Sequence, residues 1–446
     1  KMENNKEELI LNQILSSLKN AAPCFPVDAA KIKFIHDPAQ FYQTLLEKCR
    51  SSCHRITLAS LYIGTGQLEV NLINTIRENK SASVKILLDA TRGSRGLVNS
   101  RTLLLPLVNC GSQVSLYLSP ELKGWFSLLP ERWNEVIGLQ HMKVYIFDDT
   151  IILSGANLSH DYFTNRQDRY VMIEDANIAH FYDGLVTKVS EFSYKLTSGN
   201  KLETSWDFNP KLDFVKEARK VVNSYIRVHH HVSDAISSDT CVFPLVQMGQ
   251  LGIISDSVVT KRLLEMFSGD LQIHLATGYF NLTQDYMDCL INKSVANIQI
   301  LMAHPTANGF LGAKGFAGAI PSAYTQLAYT FFKQVRNTGQ MERITLHEYQ
   351  RNAWTFHGKG LWMSSNSSPF LTLIGSPNFG YRSVYRDLES QIALVTTNTR
   401  LRHAMKEERD RLYQTSNQVT RETYLLPERR VPIWVRFVIR VIKHFF

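Results

Sequence analysis

Cysteine is scarce in this chain of 446 residues, and long apolar runs are missing from it. The six cysteines form no CxxC pair, so the sequence indicates neither a disulfide framework nor a cysteine zinc site. No apolar run reaches the length of about 18 residues that a transmembrane helix needs. The opening KMENNKEELI has the composition of neither a signal segment nor a transit peptide, and we expect any targeting segment to be missing from this sequence.

The composition is otherwise that of a folded protein with a basic surface. Apolar residues make up 44% and charged residues 20% of the chain, which argues against general disorder. The 49 basic and 40 acidic residues give a formal net charge of +9. This balance favours anionic partners such as nucleic acid, an acidic membrane surface or phosphorylated small molecules.

The sequence contains an internal duplication, visible as matching segments in the same order and at nearly the same separation. Several of these segments are β-branched and aromatic runs that predict buried strands. The matching pairs are 55–64 with 272–281, 84–90 with 298–304, 141–148 with 357–364, and 151–157 with 371–378.

Helical patterns lie between the predicted strands, for example at 67–79, 284–293 and 324–336. Strands that alternate with helices indicate an α/β fold with helices flanking a sheet. The expected organisation is an N-terminal helical extension at 1–25, a first half at 26–195, a crossing segment at 196–240, a second half at 241–427 and a basic amphipathic tail at 428–446.

A His-x-Lys pair precedes a strand in each half, and an asparagine ends the strand after it. Side chains two positions apart on a strand point to the same face, so each pair projects together. Imidazole, ammonium and carboxamide groups from two halves predict one anion pocket, with a histidine on either side of a phosphorus atom for in-line displacement. A metal prefers carboxylates or thiolates beside histidine, whereas here the neighbours are lysines. The residues are His141, Lys143 and Asn157 in the first half, and His357, Lys359 and Asn378 in the second.

The duplicated pair resembles the HKD motif, H-x-K-x4-D, of the phospholipase D superfamily. The first copy, HMKVYIFD, matches fully and ends at Asp148, whereas the second, HGKGLWMS, has Ser364 at that position. The turn GSPN of the second copy fits the family pattern, and SGAN of the first departs from it. Within the superfamily, AWTFHGKGLW, LTLIGSPNFGYRSVYRDLESQIALV and TRGSRG are similar to the mitochondrial phosphatidylglycerophosphate synthases of eukaryotes.

This resemblance implies two phospholipase D-like halves, each a mixed sheet flanked by helices, with one active site at their interface. It implies transfer of the phosphatidyl group from CDP-diacylglycerol to sn-glycerol 3-phosphate, with release of CMP and without a cofactor. His141 is the expected nucleophile, which forms a phosphohistidine, and His357 the expected acid and base. Asp168 and Glu389, eleven positions past each asparagine, are the carboxylates expected to support the histidines.

Both substrates are anionic, and several basic residues are candidates to bind them. Arg92 and Arg95 lie in TRGSRG directly after a predicted strand, where arginine can grip phosphate with two hydrogen bonds. Lys314 lies in the Gly-rich loop of the second half, which lacks the Ser or Thr of a Walker motif. Arg382 and Arg386 follow Asn378 and are candidates for the acceptor phosphate.

The C-terminal VPIWVRFVIRVIKHFF alternates apolar and basic residues and predicts an interfacial helix on anionic lipid. A terminal core helix or strand is the alternative, and 122–133 is a second candidate for membrane contact. We therefore expect a peripheral protein of the inner mitochondrial membrane that does not bind nucleic acid. Two alternatives stay open: another HKD enzyme (phospholipase, cardiolipin synthase or nuclease), or a non-catalytic lipid-binding module.

Overall fold

A computed structural model describes residues 2–119, 138–204, 206, 213–230, 238–266, 271–312, 318–365 and 367–442. The first part of the chain contains α1 (Met2–Ala21), β1 (Phe25–Pro26), β2 (Ile32–Ile35), α2 (Pro38–Ser51), β3 (Arg55–Ala59), α3 (Gln67–Glu78), β4 (Ser83–Asp89), α4 (Ala90–Gly93), α5 (Ser100–Val108), β5 (Gln113–Tyr117), β6 (Val144–Phe147), β7 (Thr150–Ser154), α6 (His160–Thr164), β8 (Arg166–Gln167), β9 (Tyr170–Glu174), α7 (Ala176–Glu191), β10 (Tyr194–Leu196), β11 (Leu202–Glu203) and α8 (Phe214–His229).

The second part repeats this plan. It contains β12 (Thr240–Met248), β13 (Ile253–Ile254), α9 (Ser255–Leu264), β14 (Gln272–Thr277), α10 (Gln284–Asp288), β15 (Asn297–Ala303), α11 (Ile320–Asn337), β16 (Ile344–Tyr349), β17 (Thr355–Phe356), β18 (Lys359–Ser364), β19 (Leu371–Gly375), α12 (Tyr381–Tyr385), β20 (Leu388–Thr396), α13 (Thr399–Gln414), β21 (Ser416–Gln418) and α14 (Ile433–Ile442).

Eight strands of each large sheet follow the same order, which confirms the predicted duplication and the α/β fold. The first runs β10-β5-β4-β3-β6-β7-β9-β2 and the second β21-β16-β15-β14-β18-β19-β20-β12. In each sheet three neighbouring strands are parallel (β3, β4 and β5; β14, β15 and β16), and the others pair antiparallel. The parallel strands end at one edge of each sheet, and both His-x-Lys pairs lie at that edge. The first pair directly precedes β6, and the second ends at Lys359, the first residue of β18.

A shared core lies between the two sheets and joins the halves. It is formed by the facing sides of both sheets together with α7 and α13, and it includes Val144, Leu185, Trp362 and Met405. Separate apolar cores cover the outer faces, with α2, α3 and α5 on the first sheet and α9, α10 and α11 on the second. Within the described residues, none of the helices is long and apolar enough to cross a membrane.

The N-terminal segment packs on the second half, although it precedes the first half in sequence. Strand β1 pairs with β12 of the second sheet, and Ile14 and Leu18 of α1 are buried beside Leu263 of α9. An amphipathic helix can cover any apolar face within reach of its linker, so sequence periodicity does not choose between the halves. The predicted domain boundaries stay predictions.

Arg169 of the first half connects it to the second half. Its guanidinium is buried, binds both carboxylate oxygens of Glu408 at 2.7 and 2.9 Å and donates to the carbonyl of Leu373 at 2.8 Å. It also lies 3.7 Å from the centre of the Trp362 ring. Because a buried arginine requires this many partners, the ion pair fixes how the halves dock.

Candidate active site

A cavity of about 280 Å³ lies where the two halves meet, at the edge where the parallel strands end. Both halves contribute side chains to it. The sequence-predicted residues that line it are Arg92, His141, Asn157, His357, Asn378 and Arg382. Sequence reasoning missed other lining residues, which include Tyr62, Tyr162, Arg166, Tyr279, Tyr324 and Asp387.

The backbone around each histidine pairs with the opposite half. The backbone N–H of His357 donates to the carbonyl of Gln167 at 2.8 Å, next to the short parallel pairing of β8 with β17. The N–H of His141 donates to the carbonyl of Leu388, also at 2.8 Å. Gln167 and Leu388 directly precede Asp168 and Glu389, so this pairing brings each carboxylate to the histidine of the other half.

The two histidine–carboxylate pairs therefore cross between the halves. Nδ1 of His141 lies 2.8 Å from Oε1 of Glu389, and Nδ1 of His357 lies 2.6 Å from Oδ2 of Asp168. A hydrogen bond at Nδ1 fixes the ring and leaves Nε2 available to react. On the other side of His357, Nε2 lies 3.3 Å from the hydroxyl of Tyr162 and faces the cavity.

Burial sets the charge states of these pairs. It lowers the pKa of His141 and His357 well below the usual value, and the neighbouring Lys143 and Lys359 lower them further. Burial also raises the pKa of Asp168 to about 6 and that of Glu389 above its usual value. These shifts favour the neutral imidazole, with Nδ1–H donated to the carboxylate and a lone pair on Nε2, which is the form that a nucleophilic histidine needs. A histidine that acts as an acid needs the protonated form, which the carboxylate at Nδ1 stabilises.

The lysines of both motifs lie behind the imidazoles. Each is buried, and its Nζ donates to the carbonyl of the histidine two positions earlier, at 2.7 Å for Lys143 and 2.9 Å for Lys359. Lys359 also lies 3.9 Å from Oδ2 of Asp168. Burial lowers the pKa of both lysines, and the nearby carboxylates oppose this shift. An anion bound in the cavity adds a further negative charge that favours their protonated form.

The turns SGAN and GSPN give the carboxylates of the two histidine–carboxylate pairs different surroundings. Gly155 lies against the carboxylate of Asp168 and Nζ of Lys359, and a Cβ there would come within 2.7 and 2.8 Å of them. The equivalent position in the second half is Ser376, whose hydroxyl donates to Glu389. Ser383 donates to the same carboxylate at 2.7 Å. Glu389 is thus held by two hydroxyls, whereas Asp168 is approached closely by a lysine.

The two asparagines provide hydrogen-bonding groups that face the cavity. Asn157 and Asn378 both line it, and both are largely buried. The Oδ1 atom of each is buried without a hydrogen-bond partner among the described residues. A buried polar group without a partner is costly, so these amides are placed to bind a ligand.

Asp148, which ends the first motif, lies away from the cavity. Its carboxylate accepts hydrogen bonds from the backbone N–H groups of Cys53, His54 and Arg55, at 2.8, 2.8 and 2.9 Å. It therefore ties the β6–β7 turn to the start of β3. The sequence predicted a catalytic role for Asp148, whereas its position in the structure gives it a structural one. Ser364, at the matching motif position of the second half, is buried.

The other predicted basic residues are placed as follows. Arg92 lines the cavity with its guanidinium 4.8 Å from the centre of the Tyr62 ring, and Arg382 lines it from the second half. Arg95 and Arg386 are half-buried, and neither is among the residues that line the cavity. Lys314 lies outside the described residues, as does the predicted membrane segment 122–133.

Each half has an ion pair at equivalent positions, but the acidic and the basic residue are exchanged between the halves. In the first half Asp161 and Arg166 form it at 3.0 Å, and in the second half Arg382 and Asp387 form it at 3.2 Å. Asp161 and Arg382 each lie four positions past the asparagine, and the partners nine positions past it. The cavity thus receives an arginine from each half, at non-equivalent positions. Superposing the duplicated sequences would have revealed this exchange of charge.

One group of side chains within the described part of the chain has the geometry of a metal site. The ligand atoms of His141, Asp387 and Glu389 lie within 4.8 Å of one another. Arg382 pairs with Asp387, and Lys143 is among the charges that act on Glu389. These cations already balance the carboxylates, so the chemistry proposed below uses protein groups alone.

Comparison with known proteins gives close relatives over nearly the whole chain, although no family model matches. The chain is 43% identical over 479 residues to the mitochondrial CDP-diacylglycerol–glycerol-3-phosphate 3-phosphatidyltransferase of Gallus gallus, covering 96% of this chain and 86% of the relative. It is 43% identical to the Homo sapiens protein of the same name, with 96% and 85% covered. The Saccharomyces cerevisiae CDP-diacylglycerol–glycerol-3-phosphate 3-phosphatidyltransferase is 36% identical, with 97% and 91% covered.

A solved structure shows the same fold. The phosphatidylserine synthase of Haemophilus influenzae matches with a TM-score of 0.73 over 97% of both chains, at 20% sequence identity. The structural match agrees with the fold described above. The chain belongs to the CDP-diacylglycerol–glycerol-3-phosphate 3-phosphatidyltransferase family and has the phospholipase D fold.

Proposed function

We propose that this protein transfers the phosphatidyl group of CDP-diacylglycerol to sn-glycerol 3-phosphate and releases CMP. The observation that carries the proposal is the pair of histidines in one cavity, each backed by a carboxylate of the opposite half. Two reactive Nε2 atoms meet the need of a displacement at phosphorus for a nucleophile and an acid. The family of close relatives supports the same chemistry.

The reaction then has two steps. Nε2 of His141 attacks the phosphatidyl phosphorus and the P–O bond to CMP breaks. His357, which enters this step as the imidazolium paired with Asp168, gives its Nε2 proton to the leaving oxygen and becomes neutral. His357 next takes the proton of a glycerol 3-phosphate hydroxyl, whose oxygen attacks the phosphohistidine and breaks the P–N bond. Asp168 and Glu389 are positioning residues, because each stabilises the charge that appears on its imidazole.

The cavity also supports binding of several phosphate groups. Asn157 and Asn378 are placed to bind the oxygens of the reacting phosphorus. Arg382, on the side of His141 and Asp387, is the candidate for the acceptor phosphate, and Arg92 and Arg166 are candidates for the CDP moiety. A guanidinium holds phosphate through two hydrogen bonds in a fixed geometry. Roles for Arg95, Arg386 and Lys314 remain sequence-based predictions.

The proposal includes peripheral attachment to the inner mitochondrial membrane. Helix α14 exposes Ile433, Trp434 and Phe437, and Arg430 and Arg436 are exposed beside them. An apolar face flanked by arginines suits the interface of an anionic bilayer. The relatives from Gallus gallus and Homo sapiens are named mitochondrial, which supports the compartment.

The test is CMP release from labelled CDP-diacylglycerol by the purified chain with different acceptors. We expect release to depend on glycerol 3-phosphate and to yield phosphatidylglycerophosphate. His141→Ala should abolish CMP release, and His357→Ala should abolish its glycerol 3-phosphate-dependent turnover. His160→Ala, at an exposed histidine on α6, serves as the matched control. Turnover with water, serine, phosphatidylglycerol or nucleic acid alone would overturn the proposal in favour of another HKD reaction.

A further inference from the structure

We propose that the loop 94–99, named here the β4 loop, is a second contact with the bilayer and that the cavity opens toward lipid between this loop and α14. This inference rests on the proposed function, because a lipid substrate must reach the cavity from a bilayer. It differs from the sequence prediction, which placed membrane contact at the C-terminal tail and at 122–133. Three observations carry it.

The first observation is the exposed apolar tip of the β4 loop. Leu97 is 99% exposed and Val98 is 70% exposed. The loop follows Arg92, whose guanidinium stacks over Tyr62 inside the cavity. Its far end is fixed by Asn99, which caps α5 and donates from Nδ2 to the carbonyl of Gly96 at 2.9 Å. Two adjacent apolar side chains are thus held in water at the edge of a polar pocket.

The second observation is the equivalent loop of the second half, after β15. Its Gly309 and Phe310 line the cavity, and the next residue, Leu311, is exposed. Strands β4 and β15 hold equivalent places in the two sheets, so both loops leave the same edge of the molecule. The duplication has therefore placed an exposed apolar residue beside the cavity on each side.

The third observation is the anchor of α14 at this same edge. Arg429 is buried against Glu348, with one N–O distance of 2.7 Å, and Glu348 lies near the end of the parallel strand β16. Val435 and Ile439 pack on Ala323 of α11, and the next residue, Tyr324, lines the cavity. The exposed face of α14 is consequently held beside the cavity.

The charges around these apolar tips favour anionic lipid over a protein partner. Arg95 belongs to the β4 loop itself, and Arg430 and Arg436 are exposed at α14. Single apolar anchors bind a bilayer weakly and reversibly, whereas two anchors with basic residues bind stably. Contacts on both sides of the cavity would also fix its orientation, which one helix alone would not do.

The experiment measures partition of the full chain into phosphatidylcholine vesicles with and without phosphatidylglycerol. The variant is L97E/V98E, and the matched controls are Leu9→Glu and Val295→Glu, at residues 63% and 46% exposed. Leu9 lies on α1, and Val295 precedes β15 at the opposite edge of the sheet. We expect L97E/V98E to lower partition into anionic vesicles at least about tenfold, with little change in the controls.

Turnover separates this inference from the proposed function. With CDP-diacylglycerol embedded in vesicles, L97E/V98E should lose turnover in parallel with binding, but it should match wild type on a water-soluble short-chain substrate. Equal partition of L97E/V98E and Val295→Glu into anionic vesicles would overturn the second contact. It would also be overturned if sedimentation showed that wild type and the controls are dimers and that L97E/V98E is a monomer. Failure of the proposed function would look different, since wild type would then release no CMP from the short-chain substrate whatever its partition.

Discussion

Replacing Asp168 with asparagine should impair the histidine of the opposite half. The carboxylate of Asp168 is fully buried and lies 2.6 Å from Nδ1 of His357. An asparagine keeps the volume but removes the charge, and its amide can donate to Nδ1 and so favour the wrong tautomer. The proposed acid, His357, would then lose both its orientation and its charge stabilisation.

The geometry sets the size of this effect. A hydrogen bond to a buried charged group contributes about 1.5–3 kcal/mol, which corresponds to about 10- to 150-fold in rate. A wrong tautomer adds to this, and the corresponding Asp→Asn change in serine proteases lowers kcat by about 10⁴-fold. We therefore expect Asp168→Asn to lower kcat about 10³-fold, with a smaller change in KM.

The assay compares the natural substrate with an activated phosphodiester that carries a nitrophenol leaving group. A good leaving group needs little help from an acid, so formation of the phosphohistidine should be largely restored in Asp168→Asn. Glu389→Gln weakens His141, the proposed nucleophile, and should stay slow with both substrates. The reverse pattern would show that His357 is the nucleophile, and an unchanged kcat in Asp168→Asn would refute the crossed pairing.

Three further predictions concern single residues. Gly155→Ala should lower turnover at least about tenfold, because its Cβ would crowd Asp168 and Lys359; Gly199→Ala, with only one atom within 4 Å at 3.9 Å, is the control. Arg166→Lys should raise KM for CDP-diacylglycerol about tenfold with less effect on kcat, because lysine cannot form the two-pronged contact. Asp256→Asn should raise the free energy of unfolding at pH 8 by up to about 4 kcal/mol in denaturant titrations.

The Asp256 prediction depends on the sign of its pKa shift. Burial raises the pKa of Asp256 to about 7, above its usual 3.8. Its stabilising contribution is therefore full below about pH 3.8 and is lost as the pH rises through 7, so the gain from asparagine should grow between pH 5 and 8. A constant difference over this range would contradict the buried charge. Equal losses in Gly155→Ala and Gly199→Ala, or an unchanged KM in Arg166→Lys, would contradict the other two.

The sequence predicted the parts of the site that are repeated within the chain. The His-x-Lys pairs, the asparagines and the strands around them recur in register, so the duplication alone indicated one composite pocket. The fold followed from the same repetition, and the matching strand orders confirm it.

What the sequence did not predict depends on how the halves dock. The pairing of Asp168 with His357 joins residues far apart in sequence, and it follows from the β8–β17 pairing and the Arg169–Glu408 ion pair. Local motif matching likewise cannot show that the Asp148 carboxylate accepts hydrogen bonds from three backbone N–H groups. Arg166 was missed because the matching position in the second half is acidic.

The most direct test of the central claim uses CDP-diacylglycerol labelled in its phosphatidyl phosphate. After an alkaline quench, the chain should carry an acid-labile label on His141. In an unquenched sample, glycerol 3-phosphate should remove this label and yield labelled phosphatidylglycerophosphate. His141→Ala should take up no label, and His357→Ala should take it up slowly and fail to pass it on. Full glycerol 3-phosphate-dependent turnover by His141→Ala, or label that only water removes, would contradict a single transferase site shared by the two halves.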